Sequence, residues 1–264
     1  MKVDVSNPLW RFRGITSTAM FFFAYLYLPI VILLALSFNE NKLATIWTGF
    51  TTDWYVTALS NDDMLRAAKN SIIVAVSATI LATIAATFAA MGMARGRFRG
   101  EVGVSAMLVL PLLVPEIVTA IATLLFFVAL GIKLGLITVI IAHTVFCIPF
   151  AYLPIRARLE GMDPALAEAA NDLYANEWQA FRRVTMPLLW PGILSGAMLS
   201  FIISLDDFVI SYFVGGAGAT TLPIYIFGMI RIGITPEVNA VSAMMLIVSI
   251  VFVSVSFLID RIRY

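Results

Sequence analysis

A helix needs about 20 consecutive apolar residues to cross a hydrocarbon core about 30 Å thick. This chain has six such stretches, over residues 18–38, 71–94, 104–130, 136–155, 188–214 and 238–259. Hydrocarbon offers no water to an open backbone, so each stretch has to close its own hydrogen bonds as a helix. The expected fold is therefore all-α, a polytopic membrane protein with six transmembrane helices in one domain. Composition agrees: 61% of residues are hydrophobic and 12% charged, against about 25% charged in an ordinary soluble domain. So few charges exclude a soluble globular enzyme, a disordered chain and a nucleic-acid binder with a basic face. The apolar residues run continuously rather than alternating, which excludes a transmembrane β-barrel. Arg11 and Arg13 precede the first stretch as in a signal peptide, but its apolar core is too long and no small-x-small cleavage site follows. An uncleaved anchor is expected.

Six spans put both termini on one side, and the distribution of Lys and Arg selects it. Twelve of the 17 basic residues fall on the side of the termini: Lys2, Arg11, Arg13, Arg95, Arg97, Arg99, Arg156, Arg158, Arg182, Arg183, Arg261 and Arg263. The other five are Lys42, Arg66, Lys69, Lys133 and Arg231. Both termini are expected in the cytoplasm. Cys147 is the single cysteine and His143 the single histidine, so no intrachain disulfide forms and no metal-ligand spacing exists. The chain has no GxxxxGK[ST] loop and binds no ATP through one.

Two loops are long enough to carry function. The outer one, 39–70, holds Trp47, Trp54 and Tyr55, aromatics expected to anchor a short interfacial helix. The cytoplasmic one, 156–187, is the most polar part of the chain, with five acids from Glu160 to Glu177, Asp172 among them. Asp163-Pro164 opens a helix there, with Leu166, Ala169, Ala170 and Leu173 on one stripe. Asn176 and Gln179 form a capping box for a second helix through Trp178 and Phe181, which Pro187 is expected to end. Two such helices serve either as a docking knob for another protein or as an amphipathic connector on the bilayer.

From Glu168 to Pro187 the loop resembles the cytoplasmic signature of ABC-importer permeases: E-A-A, three residues, Gly, nine residues, Ile, one residue, Leu-Pro. Glu168, Ala169, Ala170 and Pro187 match, Val184 and Met186 stand for Ile and Leu, and Tyr174 occupies the Gly position. That glycine supplies a left-handed residue between the helices, so Tyr there implies strain or another turn. Further segments resemble the permease subunits of spermidine/putrescine importers: Trp47-Thr48-Gly49-Phe50-Thr51-Thr52, Arg97-Phe98-Arg99-Gly100, Pro115-Glu116-Ile117-Val118, His143-Thr144-Val145-Phe146-Cys147, Ser204-Leu205-Asp206-Asp207, and the run from Gly233 to Ala240.

The resemblance implies a type I importer permease in the bacterial cytoplasmic (inner) membrane, half of a pathway completed by a second permease subunit. It implies two ATP-binding cassette subunits gripping the signature loops through Glu168, Ala169, Ala170, Asp172, Tyr174, Val184 and Pro187, and an extracytoplasmic solute-binding protein. ATP and Mg are used by the partner ATPase, and this chain is expected to bind no cofactor or metal, to catalyse no reaction and to bind no nucleic acid.

Ionisable groups inside hydrocarbon usually face a pathway or a partner. Glu116 falls about twelve residues into the third stretch, roughly 18 Å along a straight helix, with Pro111 and Pro115 favouring a kink. It either offsets the dehydration of a passing cation or bonds a partner permease or backbone freed by Pro115. Asp206 and Asp207 fall about 18 residues into the fifth stretch, roughly 27 Å along. Being consecutive they point about 100° apart, and at least one either meets a cation or both are solvated. Ser204 is a candidate to assist by hydrogen bonding and Trp47 by cation–π contact. His143 either titrates or is a neutral group bonded between helices, the plainer reading, and Cys147 is packing. The function expected is a permease subunit of an ATP-driven importer for polyamines or a similar small organic cation. The alternatives are an ABC permease for another solute and a proton-coupled carrier using Glu116, His143 and Asp206. An intramembrane enzyme lacks any nucleophile–base set.

Overall fold

The computed structural model describes residues 13–42, 46–94, 99–163, 165–172, 174–233 and 235–262, with the backbone alone at residues 13, 167, 168, 171 and 255–262. Lys2, Arg11, Arg95, Arg97, Phe98, Pro164, Leu173, Ile234 and Arg263, named above, lie outside the described residues. The regular structure of the described residues is helical, with one isolated antiparallel bridge between Asn39 and Phe50. The helices are α1 (Arg13–Leu36), α2 (Asp53–Leu59), α3 (Asp62–Ala94), α4 (Glu101–Val109), α5 (Glu116–Ala129), α6 (Leu136–Glu160), α7 (Ala165–Asp172), α8 (Glu177–Ala180), α9 (Met186–Asp206), α10 (Val209–Val214), α11 (Leu222–Ile232) and α12 (Pro236–Ile262). Among the described residues five helical runs are long and apolar enough to cross a membrane, and six if α4 and α5 form one bent span.

That bent span corrects the expectation of a single helix over 104–130. A 3-10 turn, Leu110–Leu112, closes α4, and α5 leaves at 109° to it. Pro115 has no amide proton and adopts φ −54°, ψ 134°. It also disfavours the helical conformation at Val114. A straight-helix depth for Glu116 therefore does not apply. Glu116 is the first residue of α5, where a carboxylate complements the positive end of the helix dipole. The fifth stretch, expected as one helix over 188–214, is also broken. Asp207 turns extended at φ −64°, ψ 123°, and α10 restarts at Val209.

The chain divides into two compact units, residues 1–61 with 228–248, and residues 62–227 with 249–264. In the first, α1 exposes nearly its whole apolar surface, as a helix solvated by hydrocarbon does. The turn after it closes on Asn39, which is fully buried. Its side chain donates to the Ile46 carbonyl at 2.8 Å, and its own carbonyl accepts from the Trp54 indole at 2.7 Å. Tyr55 shares a hydrogen bond with Ser37 at 2.7 Å. Trp54 and Tyr55 thus tie α2 to the turn after α1.

In the second unit α3, α6 and α9 pack on one another. The buried face of α3 is a stripe of Ala67, Ala75, Ala78, Ala82, Ala86 and Ala90, small side chains that let helices approach closely. One end of the core gathers Val74, Phe127, Val139, Ile210 and Val214; the other gathers Tyr152, Ile155, Leu189 and Ile193. Phe201 stacks on Phe252 with centroids 4.0 Å apart. Gly196 sits against α6 so closely that a Cβ would meet the Ala151 carbonyl oxygen at 2.6 Å. Backbone cannot yield as a flexible side chain can, so Gly196→Ala should destabilise the protein by about 1–3 kcal/mol, read as a lower Tm of the detergent-purified protein.

Candidate functional site

The break at Asp207 opens the backbone of a membrane-embedded helix, and its polar groups must find partners inside the protein. In an unbroken helix the Ser211 amide would donate to the carbonyl of residue 207. Here it donates to the Asp207 side chain instead, at 2.9 Å to Oδ1. The same oxygen lies 3.1 Å from His143 Nε2. His143 Nε2 is also 2.9 Å from the Ser211 hydroxyl, and its Nδ1 is 2.8 Å from the Ser204 hydroxyl. His143, Ser204, Asp207 and Ser211 are all buried. A carboxylate only accepts, so a proton on Nε2 faces both the Ser211 hydroxyl and Asp207 Oδ1, and the Ser204 hydroxyl can donate to Nδ1. Three elements meet here: α6 supplies the imidazole, the end of α9 supplies Ser204, and the break with α10 supplies Asp207 and Ser211.

A second carboxyl group completes the cluster. Glu116, half-buried at the start of α5, is a near neighbour of the Asp207 carboxyl. Asp207 Oδ2 is buried and has no hydrogen-bond donor. Two carboxylates cannot bond each other; the pair requires a proton between them or a cation beside them. Among the described residues no three His, Cys, Asp or Glu side chains are set to hold a metal ion. Close by in the fold, the elbow of α4 and α5 against α6 encloses a cavity of about 420 Å³ lined by Pro111, Val118, Thr119, Phe126, Phe127 and Ile141 among others. Its lining is almost wholly apolar and holds neither acid.

Neighbouring bonds fasten the segment after α10. The Thr138 hydroxyl donates to the Val214 carbonyl at 2.8 Å, and Asn70 Nδ2 donates to the carbonyls of Gly218 and Thr220 at 2.9 and 3.0 Å. The Leu222 amide donates to the Ser71 hydroxyl at 2.7 Å.

The residues read from sequence separate. Glu116 and Asp207 come together. Asp206, the last residue of α9, is exposed, whereas Asp207 is buried. Ser204, expected to assist a cation, bonds His143 instead. Trp47 belongs to the other unit, where its indole is 54% exposed. His143 is held between helices, as in the plainer reading. Ser211 was not singled out. Its only trace in sequence is its place four residues after Asp207, the spacing at which a carboxylate can replace a helical carbonyl.

The polar loop has the two arms read from sequence. Asp163 Oδ1 accepts from the Ala165 amide at 2.9 Å to start α7. The Asn176–Gln179 capping box is present, with bonds of 2.8 and 3.1 Å. Pro187 does not end the second helix. A π-helical turn, Phe181–Thr185, precedes it, and helix runs from Glu177 to Asp206. The wider turn shifts the carbonyl register where Pro187 lacks a donor. The Glu168 side chain lies outside the described residues. Ala170 is buried, Ala169 and Asp172 are exposed, and Val184 is half-buried in the π turn.

Tyr174 takes φ 56°, the one left-handed non-glycine among the described residues, and its side chain is 97% exposed. The Ala175 amide donates to the Ala170 carbonyl at 3.1 Å, the six-to-one bond of a Schellman cap. The turn that glycine usually makes is therefore kept with Tyr in its place.

A chain of apolar spans with a buried ionisable cluster and a capped polar loop is an integral membrane transport component. Residues 78–264 match the family described as "Binding-protein-dependent transport system inner membrane component", and the chain belongs to that family. It is 42% identical over 249 residues to the spermidine/putrescine transport system permease protein PotC of Escherichia coli, covering 94% of each chain. It is 40% identical over 231 residues to the putrescine transport system permease protein PotI of the same species, covering 85% of this chain and 82% of that one. Among solved structures, a bacterial ABC transporter involved in import of the acidic polysaccharide alginate aligns with TM-score 0.70 at 18% identity, over 96% of this chain and 97% of that one. The MetNI methionine ABC transporter aligns with TM-score 0.65 at 20% identity, over 76% and 98%. The fold is that of type I ABC importer permeases.

A left-handed L-residue costs about 1–2 kcal/mol, and glycine gives back about 0.5–1 kcal/mol through its freer unfolded chain. Tyr174→Gly should therefore stabilise the loop by about 1 kcal/mol or less, seen as slower amide hydrogen exchange at Ala175.

Proposed function

We propose that this chain is the transmembrane permease subunit of an ATP-driven importer for polyamines, or a similar small organic cation, in a bacterial inner membrane. The observation that carries the reading is the juxtaposition of Glu116 and Asp207, one carboxyl half-buried, the other buried with an oxygen that lacks a donor. An ammonium group brings a positive charge and three donors, which suits such a pair. Identity to the two polyamine permeases along nearly the whole chain supports the same substrate class.

In this reading a second permease subunit, different from this one, completes the pathway, and a solute-binding protein delivers the cation from outside. Two ATPase subunits bind and hydrolyse ATP with Mg, one of them gripping the loop from Glu168 to Pro187. Both termini and this loop face the cytoplasm, in keeping with twelve of 17 basic residues on that side. The continuous helix from Glu177 to Asp206 supplies the mechanical link. It begins in the docking loop and ends beside Asp207, so a push on α8 is delivered to the site. Asp206, which is exposed, serves the outer approach of the cation.

Glu116→Gln keeps the shape of the side chain and removes its charge. It should lower spermidine uptake about tenfold or more and ATP hydrolysis by the assembled complex much less; equal loss of both would mean structural damage. Glu168→Ala should uncouple uptake from ATP hydrolysis while the binding protein's affinity for spermidine is unchanged. Uptake that persists after ATP depletion and follows a proton gradient would instead identify a proton-coupled carrier using the same buried groups.

A further inference from the structure

Asp207 cannot hold its own orientation. It sits in extended backbone between two helices, with a short side chain and a single amide partner on its own segment, Ser211. What fixes the carboxyl from outside that segment is His143, on α6, whose Nε2 faces the same oxygen that the Ser211 amide occupies. With both donors on Oδ1, Oδ2 is the oxygen left without one. His143 is in turn held at Nδ1 by Ser204, two residues before the end of α9. The imidazole therefore has a polar partner at both nitrogens, which leaves it no free nitrogen to offer a solute.

We propose that His143 is a positioning residue for cation transport: through Nε2 it orients Asp207 so that one carboxylate oxygen stays free for the cation that Glu116 also meets. This rests on the reading of Glu116 and Asp207 as the pathway acids. Among the described residues the polar partners of the imidazole are the hydroxyls of Ser204 and Ser211 and the carboxylate of Asp207.

Two amide side chains separate this role from simple filling of a polar cavity. In His143→Gln the amide reaches about as far as Nε2 and can still donate to Asp207. In His143→Asn it reaches only about as far as Nδ1, so the bond to Ser204 can remain while that to Asp207 is lost. The measurement is uptake of radiolabelled spermidine by cells carrying the whole transporter, normalised to the amount of assembled complex. Asn should raise the half-saturating spermidine concentration about tenfold, and Gln should stay within about twofold of the unchanged protein. In an Asp207→Asn background the His143→Asn change should add less than about twofold, since its effect passes through the carboxylate.

Equal behaviour of Gln and Asn, a fall in maximal rate with no change in half-saturation, or multiplied effects in the double variant would each overturn the proposal. If Asp207→Asn and Glu116→Gln both transport with unchanged half-saturation, the pathway reading itself fails and takes this role with it. That result differs from the one in which those two are impaired and the His143 variants break the pattern.

Discussion

The structure turns on the obligation of a helix that opens inside hydrocarbon to satisfy its own backbone. No water competes there, and an orphaned amide costs several kcal/mol. At Asp207 the carbonyl that should receive the Ser211 amide has turned away, and the Asp207 carboxylate takes its place. A buried carboxylate creates a second obligation, met by His143, and the imidazole a third, met by Ser204. One interruption of α9 thus draws α6 and α10 into a single polar network. Glu116 comes to it from the other interruption, where Pro115 separates α4 from α5. Both acids of the cluster stand at ends of broken helices, where a carboxylate can be used structurally and still present an oxygen.

Rigidity around the network comes from small residues. The alanine stripe of α3 and Gly196 of α9 bring backbones together where larger side chains would hold them apart. Close packing of this kind leaves few alternative arrangements, so displacement at one end of α9 is carried to the other. The π turn at Phe181–Thr185 serves the same continuity. By accommodating Pro187 within helix, it joins the polar loop to α9 without a break in the helix.

Tyr174 shows how a local geometry can persist through an unfavourable residue. The Schellman bond from Ala175 to Ala170 needs a left-handed residue between them, and the capping box at Asn176 fixes the next helix immediately afterwards. Bonds on either side over-determine the turn, so the backbone keeps φ 56° and the aromatic ring projects into solvent.

Much of this was legible in the sequence because it depends on local physics. Runs of apolar residues specify helices wherever the solvent is lipid, basic residues indicate a side, and Asn176 with Gln179 specifies a cap by hydrogen bonds within one turn. The spacing from Glu168 to Pro187 was enough to suggest the family. Even the turn at Tyr174 was signalled, as a conflict between residue and position. What the tertiary structure alone decided are features that need partners far along the chain. No proline or glycine marks the break at Asp207; its carboxylate meets His143, more than sixty residues earlier in the chain. Asp206 and Asp207 are indistinguishable in composition, and only packing turns one inward and leaves the other exposed. Glu116 read as a residue midway along a span kinked at its prolines, and the 109° bend made it the first residue of a separate helix. Sequence determined that acids lie within the spans; the choice of which two meet was left to the folded chain, because burial and bond geometry are properties of neighbours in space.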